Sequence, residues 1–208
     1  MPEEAFVLVV GAGGAFLGPI VNHLALRLPP EGPRLDAVWL RRRAFLLILL
    51  MPLLAGFLAW HFGPSLRSLV GVWYLALFLL IAAIDLEHRL VLDRVIAPAI
   101  ILAPVTALLW GLSPLSIGVG GTIEFLFFLL SALVSRGRGI GVGDVKLGAF
   151  LGLITGYPLV ITGLMATAVS AGLVSGILLL LRIRSLHDYI PYAPFMVLGT
   201  AVALLSRA

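Results

Sequence analysis

The sequence contains no cysteine, which excludes disulfide bonds, thiolate metal sites and a cysteine nucleophile. Charge is also scarce, because Asp, Glu, Lys and Arg together make up only 12% of the 208 residues. Apolar residues account for 61% of the chain, well above the roughly 45–50% of typical soluble domains. This balance predicts an integral membrane protein whose first partner is the lipid bilayer.

Long apolar runs predict the fold class. A membrane-spanning helix needs about 20 apolar residues, and eight segments suggest an all-α, polytopic transmembrane helical bundle of about eight spans. The acidic start at Glu3 and Glu4 is unlike a secretion signal, so we expect the first segment to be retained. The segments are residues 5–28, 44–62, 68–84, 95–112, 117–134, 145–156, 158–181 and 191–205.

The sixth of these segments is unusually short. Its twelve residues would extend for roughly 18 Å as a helix, against roughly 30 Å of hydrocarbon in a bilayer. We expect this helix either to continue past Pro158 with a kink or to begin inside the membrane. The second alternative would place Asp144 below the lipid surface.

The basic residues predict the orientation of the spans. Twelve of the fourteen Lys and Arg residues lie in the loops after the first, third, fifth and seventh segments or at the segment ends next to those loops. Such an asymmetry places those loops in the cytoplasm and the N-terminus outside. The formal net charge of +4 then reflects topology, so we expect no nucleic-acid partner. We expect one integral membrane domain over residues 1–208.

Two aspartates stand at the ends of apolar segments. Asp85 follows the third segment and Asp144 precedes the sixth, so the predicted topology brings both to the cytoplasmic face. Each has a structural alternative: Asp85 could pair with Arg89 at i,i+4 spacing, and Asp144 could cap its helix. Because acids at membrane depth indicate function by default, we predict that the two carboxylates meet as a chemical pair.

Such a pair has a defined chemistry. Two close carboxylates in a low-dielectric site tend to share one proton, which supplies a base to activate water and an acid to protonate a leaving amide nitrogen. The pattern therefore predicts peptide-bond hydrolysis without a metal. Glu87, His88 and Asp93 form a cluster more typical of a solvated helix end than of a metal site, so we expect no metal.

Three further polar residues lie inside the apolar segments. Glu124 falls in the fifth segment, and an acid inside a membrane span is a candidate functional residue by default. We interpret it as a packing residue that protons can reach. Asn22 and His23, in the first segment, are predicted to bond to neighbouring helices.

Four stretches of the sequence resemble those of a known family. Residues 141–146, GVGDVK, match the motif GxGDxK, and residues 84–88, IDLEH, match an aspartate motif one helical hairpin upstream. Residues 14–29 are loosely similar to GSFLN…RLP, and residues 190–195, IPYAPF, to IPFGPF. Together they make the chain resemble the bacterial type IV prepilin peptidases, which are membrane aspartyl proteases of the GxGD type.

The resemblance implies roles for the aspartates and their neighbours. Asp85 and Asp144 would be the catalytic pair, with the second one positioned by Gly141, Gly143 and Lys146. The substrates would be type IV prepilins or pilin-like secretion or competence subunits with an apolar N-terminal helix. Their short basic leader would be cut off after a glycine at the cytoplasmic face of the bacterial inner membrane.

The residues next to Asp85 have an expected role too. Glu87 and Asp93 are acidic and lie on the same predicted face as a basic leader would, so they are candidate leader contacts. The family usually has Pro before the later aspartate, whereas this chain has Leu92 before Asp93. We interpret that change as one of loop geometry and keep Asp85 as the catalyst.

One departure concerns the second activity of the family. Many members also N-methylate the new terminus and carry a cysteine-rich loop between their first two spans. Here that loop, residues 29–43, is short, basic and without cysteine, so it cannot hold a thiolate zinc site. We expect no cofactor for cleavage and no zinc, and methyl transfer from S-adenosylmethionine stays open.

Three other functions would fit parts of the pattern. A presenilin-like protease shares GxGD, but the chain lacks its YD and PAL motifs. A small proton-coupled transporter could use Asp85, Asp144 and Glu124 as relays, although no inverted repeat is evident. A purely structural secretion subunit would tolerate the loss of either aspartate.

Overall fold

Most of the described chain is helical. The computed structural model describes residues 2–33, 36–135, 140–183 and 190–207, and within these ranges it contains eight α-helices and no β-strand. This confirms the all-α fold class. The helices are α1 (Glu3–Arg27), α2 (Ala37–Phe62), α3 (Leu66–His88), α4 (Asp93–Leu109), α5 (Pro114–Val134), α6 (Val142–Thr155), α7 (Leu159–Leu180) and α8 (Ala193–Leu205).

Each predicted segment corresponds to a helix, but the helices differ in length. Among the described residues, α1, α2, α3, α5 and α7 are long and apolar enough to cross a membrane, and α8 is a shorter apolar helix. The second helix begins at Ala37, earlier than its apolar run, because the Asp36 carboxylate accepts a hydrogen bond from the Trp39 N–H at 2.9 Å. Part of the predicted loop 29–43 is therefore helical. The outside location of the N-terminus stays a prediction.

The chain divides into two compact units, and the first extends to Leu92. It contains α1, α2 and α3, and each of these helices packs against the other two. The contact between α1 and α2 is close, because a Cβ atom added at Gly14 would lie 2.8 Å from the Met51 carbonyl oxygen. Small residues that let backbones approach are the usual basis of helix association in membranes.

The second unit, Asp93–Arg207, contains α4 to α8 and is built around the short helix α6. This helix packs against α4, α5, α7 and α8, and most of its residues are buried. Enclosure by protein explains how a helix of 14 residues fits among longer ones. It ends at Thr155, followed by Gly156 with φ of 69°, so the predicted kinked continuation past Pro158 is wrong. Its start inside the membrane stays a prediction, as does the single domain over 1–208.

The seam between α5 and α6 depends on glycine. A Cβ atom at Gly120 would lie 2.6 Å from the Gly152 carbonyl oxygen, and one at Gly152 would lie 2.5 Å from the Gly120 carbonyl oxygen. Since both obstacles are backbone atoms, neither can move aside without separating the helices. The seam therefore holds α6, and with it Asp144, in a fixed register.

We expect Gly152→Ala to lower the free energy of unfolding by about 1–3 kcal/mol, as overpacking usually does. Gly118→Ala is the matched control, because a Cβ atom at this exposed position of α5 meets nothing within 4 Å. The control should be neutral or slightly stabilising, since alanine favours the helix. Unfolding in detergent by SDS titration measures both, and equal losses would contradict the seam.

Candidate active site

Asp85 lies in the last turn of α3, in the first unit. It is buried, with 2% of its surface exposed, and its neighbours Ala83 and Ile84 are buried as well. Its backbone carbonyl accepts the Arg89 N–H at 2.8 Å, and Arg89 adopts the left-handed conformation that ends the helix. The ionised form of an acid buried at the negative pole of a helix is destabilised both by the loss of hydration and by the helix dipole. Ionisable groups in such surroundings are often functional.

A buried polar cluster surrounds the end of the same helix. Arg43 of α2 donates from Nη1 to Oε2 of Glu87, and from Nε to Oδ1 of Asn22 in α1 at 3.2 Å. His88 Nε2 lies 3.7 Å from Glu87 Oε1. The cluster ties α1, α2 and the last turn of α3 together, two residues after Asp85. It confirms the predicted interhelical bond of Asn22, whereas His23 is exposed.

The cluster bears on the predicted role of Glu87. Its side chain is fully buried and paired with Arg43, whose own side chain is 12% exposed. A contact between Glu87 and the leader stays a prediction. The ion pair with Arg43 gives the Glu87 carboxylate a structural role in holding α2 and α3 together. Arg43 carries no sequence signal for this pairing, because its partner lies far along the chain and its neighbours Arg41 and Arg42 look the same.

Asp144 lies in the first turn of α6, in the second unit, and is 4% exposed. The helix begins after Gly141, whose N–H donates to Asp144 Oδ2 at 2.9 Å. The carboxylate thus reaches back to the residue before the helix, as the acid of a capping box does. Asp144 is therefore not the N-cap that the structural alternative predicted, because Gly141 holds the cap position and Asp144 lies three residues later. One carboxylate oxygen is held by the backbone, which sets the orientation of the group.

Two aromatic residues of the second unit lie near α6. The Phe128 ring of α5 packs on Gly148, where an added Cβ atom would lie 2.5 Å from it. The Tyr192 ring, just before α8, meets Phe128 in an edge-on contact with centroids 6.0 Å apart. Tyr192 belongs to the IPYAPF stretch, and nothing in that stretch predicts the contact with Phe128.

The electrostatics of this region follow from burial. Asp144 and Tyr192 both lie outside the five helices long enough to cross a membrane. Burial raises the pKa of the Asp144 carboxyl, and the hydrogen bond from Gly141 lowers it in part. Burial and, secondarily, the Asp144 carboxylate raise the pKa of the Tyr192 hydroxyl. A raised pKa favours a carboxyl that holds a proton at a pH where exposed aspartates have lost theirs.

The other predicted residues of the second unit differ in burial. Lys146 Nζ lies 2.7 Å from Asp93 Oδ1 in an exposed ion pair, a type of contact that contributes little to stability. Gly143 lies in the first turn of α6 beside Asp144. Glu124 is 3% exposed and packs on Gly152, in agreement with a packing role.

Within the described ranges no three His, Asp or Glu side chains are grouped as metal ligands, and the absence of a metal stays a prediction.

Comparisons with known proteins point to one family. A model of the type IV leader peptidase family matches residues 72–181, which is more than half of the chain. The matched stretch contains both Asp85 and Asp144. No solved structure matches the chain significantly.

Individual relatives carry a consistent name. The chain is 28% identical to a prepilin leader peptidase/N-methyltransferase of Stutzerimonas stutzeri, over 90% of this chain and 65% of the relative. It is 32% identical to one of Burkholderia pseudomallei, over 89% of this chain and 61% of the relative. For one of Bacillus subtilis the identity is 26%, over 70% and 58%. The chain spans about three fifths of the length of these relatives.

Proposed function

The chain belongs to the type IV leader peptidase family, and on that premise we propose that it is a membrane-embedded aspartic endopeptidase. Its substrates are type IV prepilins or pilin-like secretion or competence subunits, from which it removes the short basic leader. One observation carries the proposal: the two acids that the motifs single out, Asp85 and Asp144, are both buried at helix ends. Burial is what a shared-proton pair requires.

The proposed reaction uses one carboxylate and one carboxylic acid. The ionised carboxylate takes a proton from water as the water oxygen attacks the scissile carbonyl carbon, which gives a tetrahedral intermediate. The protonated acid then gives its proton to the leaving nitrogen, and the C–N bond breaks to a carboxylic acid and an amine. Asp85 and Asp144 together hold one proton before and after the cycle, so neither metal nor covalent intermediate is needed.

The residues around Asp144 have a positioning role in this proposal. The Gly141 N–H holds one carboxylate oxygen, so the other oxygen keeps a defined direction. Gly143 has no side chain and leaves the first turn of α6 open to an extended peptide. Lys146 is paired with Asp93 at the surface, where it can meet the polar part of a substrate.

The location follows the expected topology. We propose that the protein lies in the bacterial inner membrane with its active site toward the cytoplasm. A prepilin presents an apolar helix to the bilayer while its basic leader stays in water, so the scissile bond lies at the boundary. The excess of basic residues on one side of the spans supports this orientation.

The test is leader removal by the purified protein. The full chain in detergent is incubated with a purified type IV prepilin, and the products are identified by intact mass. We expect one cut, directly before the apolar helix and after a glycine, and no cut in a prepilin whose glycine is replaced by glutamate. An intact prepilin after long incubation with folded protein, or cuts at scattered sites, would contradict the proposal.

Methyl transfer gives a separate prediction. Because the chain has no cysteine, it cannot build the thiolate zinc loop that many methylating relatives carry. We propose that it cleaves without methylating, so the new terminus keeps a free amine when S-adenosylmethionine is present. Intact mass of the mature product measures this, with a methylating family member as the positive control. A product that gains one methyl group would contradict it.

A further inference from the structure

Three consecutive arginines near the start of α2 face different surroundings. Arg43 turns inward and is neutralised by Glu87. Arg41 and Arg42 are exposed, and no acid in the described part of the chain lies within ion-pair distance of either. These two charges are therefore without a counterion among the described residues.

The length of α2 places these arginines at the membrane surface. The helix runs on for about 20 residues from Arg42 to Phe62, or roughly 30 Å, which is the thickness of the hydrocarbon core. Their guanidinium groups thus reach the level of the lipid headgroups when the apolar part of α2 spans the core. Trp39 lies one turn earlier, and tryptophan is enriched at that level.

The side chains there form a shallow groove whose lining is mainly apolar. It has a volume of about 420 Å³ and is lined by Arg41, Arg42, Phe45 and Leu46. Spacing of four residues puts Phe45 one turn below Arg41 and Leu46 one turn below Arg42. The Arg42 guanidinium is also held over the Trp39 ring, 5.6 Å from its centroid. Two exposed cations and two exposed apolar side chains therefore share one face of α2. The apolar pair lies one turn closer to the apolar part of the helix.

We propose that this groove binds the headgroup of an anionic glycerophospholipid such as phosphatidylglycerol. The guanidinium groups of Arg41 and Arg42 donate to the phosphodiester, for which arginine has a matching fork of N–H donors. Phe45 and Leu46 receive the first part of an acyl chain. The lipid supplies a counterion for the two exposed guanidinium groups. The proposal is independent of the peptidase activity.

Native mass spectrometry of the full chain in detergent tests the site. Phosphatidylglycerol and phosphatidylcholine with the same acyl chains compete for the protein, and the ratio of bound lipids is recorded. We expect a preference for phosphatidylglycerol that Arg41→Gln/Arg42→Gln lowers by about 30-fold, the effect of two basic side chains beside anionic lipid. Arg41→Lys/Arg42→Lys should keep most of the preference, which also controls for folding.

Arg67→Gln is the matched control, because Arg67 is exposed at the start of α3, beyond the opposite end of α2. It should leave the preference unchanged. Equal binding of the two lipids by the wild type, or an equal loss in Arg67→Gln and the double glutamine variant, would overturn the proposal. Displacement of the lipid by inorganic phosphate alone would overturn it as well, since the groove would then recognise a free anion.

Discussion

Replacing Asp85 or Asp144 with asparagine is expected to abolish leader removal while the protein still inserts and folds. Asparagine keeps the size of the side chain but can neither take a proton from water nor deliver one to the leaving nitrogen. Loss of one such group lowers a rate by about 10²–10⁴-fold. Co-expression of each variant with a prepilin, followed by separation of precursor and mature pilin, measures the loss.

Asp93→Asn is the matched control for both variants. It is the same chemical change at an acid of the same unit as Asp144, but Asp93 is exposed and paired with Lys146 at the surface. Its effect should be much smaller, because exposed ion pairs contribute about 0–1 kcal/mol. Full processing by Asp85→Asn or Asp144→Asn would reject the pair. An equal loss in Asp93→Asn would show that the assay reports the surface charge instead.

Removing Arg43 is expected to destabilise the protein by about 3–5 kcal/mol, because the fully buried Glu87 carboxylate would lose its ion pair with the Arg43 guanidinium. The reverse change, Glu87→Gln, should cost less, since the glutamine oxygen can still accept a hydrogen bond from Arg43, whose side chain is 12% exposed. Arg43→Ala combined with Glu87→Gln should be more stable than Arg43→Ala alone. Unfolding by SDS titration in detergent gives all three values as a double-mutant cycle.

Arg41→Ala is the control for this cycle, because the neighbouring arginine is exposed and makes no ion pair with a described residue. Its effect should stay within about 0.5 kcal/mol. Glu87→Gln also distinguishes the two roles of Glu87. A leader contact predicts a raised KM with unchanged stability, whereas a structural pair predicts reduced stability with KM unchanged. Equal stability of Arg43→Ala and Arg41→Ala would contradict the buried pair.

The helices could be predicted because membrane spans carry a strong signal in each segment. Every apolar run corresponds to a helix, since burial of apolar residues and internal hydrogen bonding act on each run separately. The helix ends were less predictable. The start of α2 is set by the Asp36 cap, and the end of α6 by Gly156, and both depend on backbone geometry.

The candidate site was predictable where a short motif carries it. GVGDVK predicts Asp144 at the start of a helix, and the structure places it in the first turn of α6, with the Gly141 N–H as its hydrogen-bond donor. The pairing of Arg43 with Glu87 was not predictable, because it joins residues distant in sequence and is set by how α2 and α3 pack. The contact of Tyr192 with Phe128 depends in the same way on the packing of the second unit.

The pH–rate profile of leader removal by the purified chain tests the paired carboxylates most directly. A pair that works with a single shared proton loses its base at low pH and its acid at high pH, so the rate should pass through a maximum. Because burial raises the pKa of Asp144, the falling limb should lie above the usual pKa of aspartate, about 3.9. A rate that only rises with pH, in protein that stays folded throughout, would contradict the account.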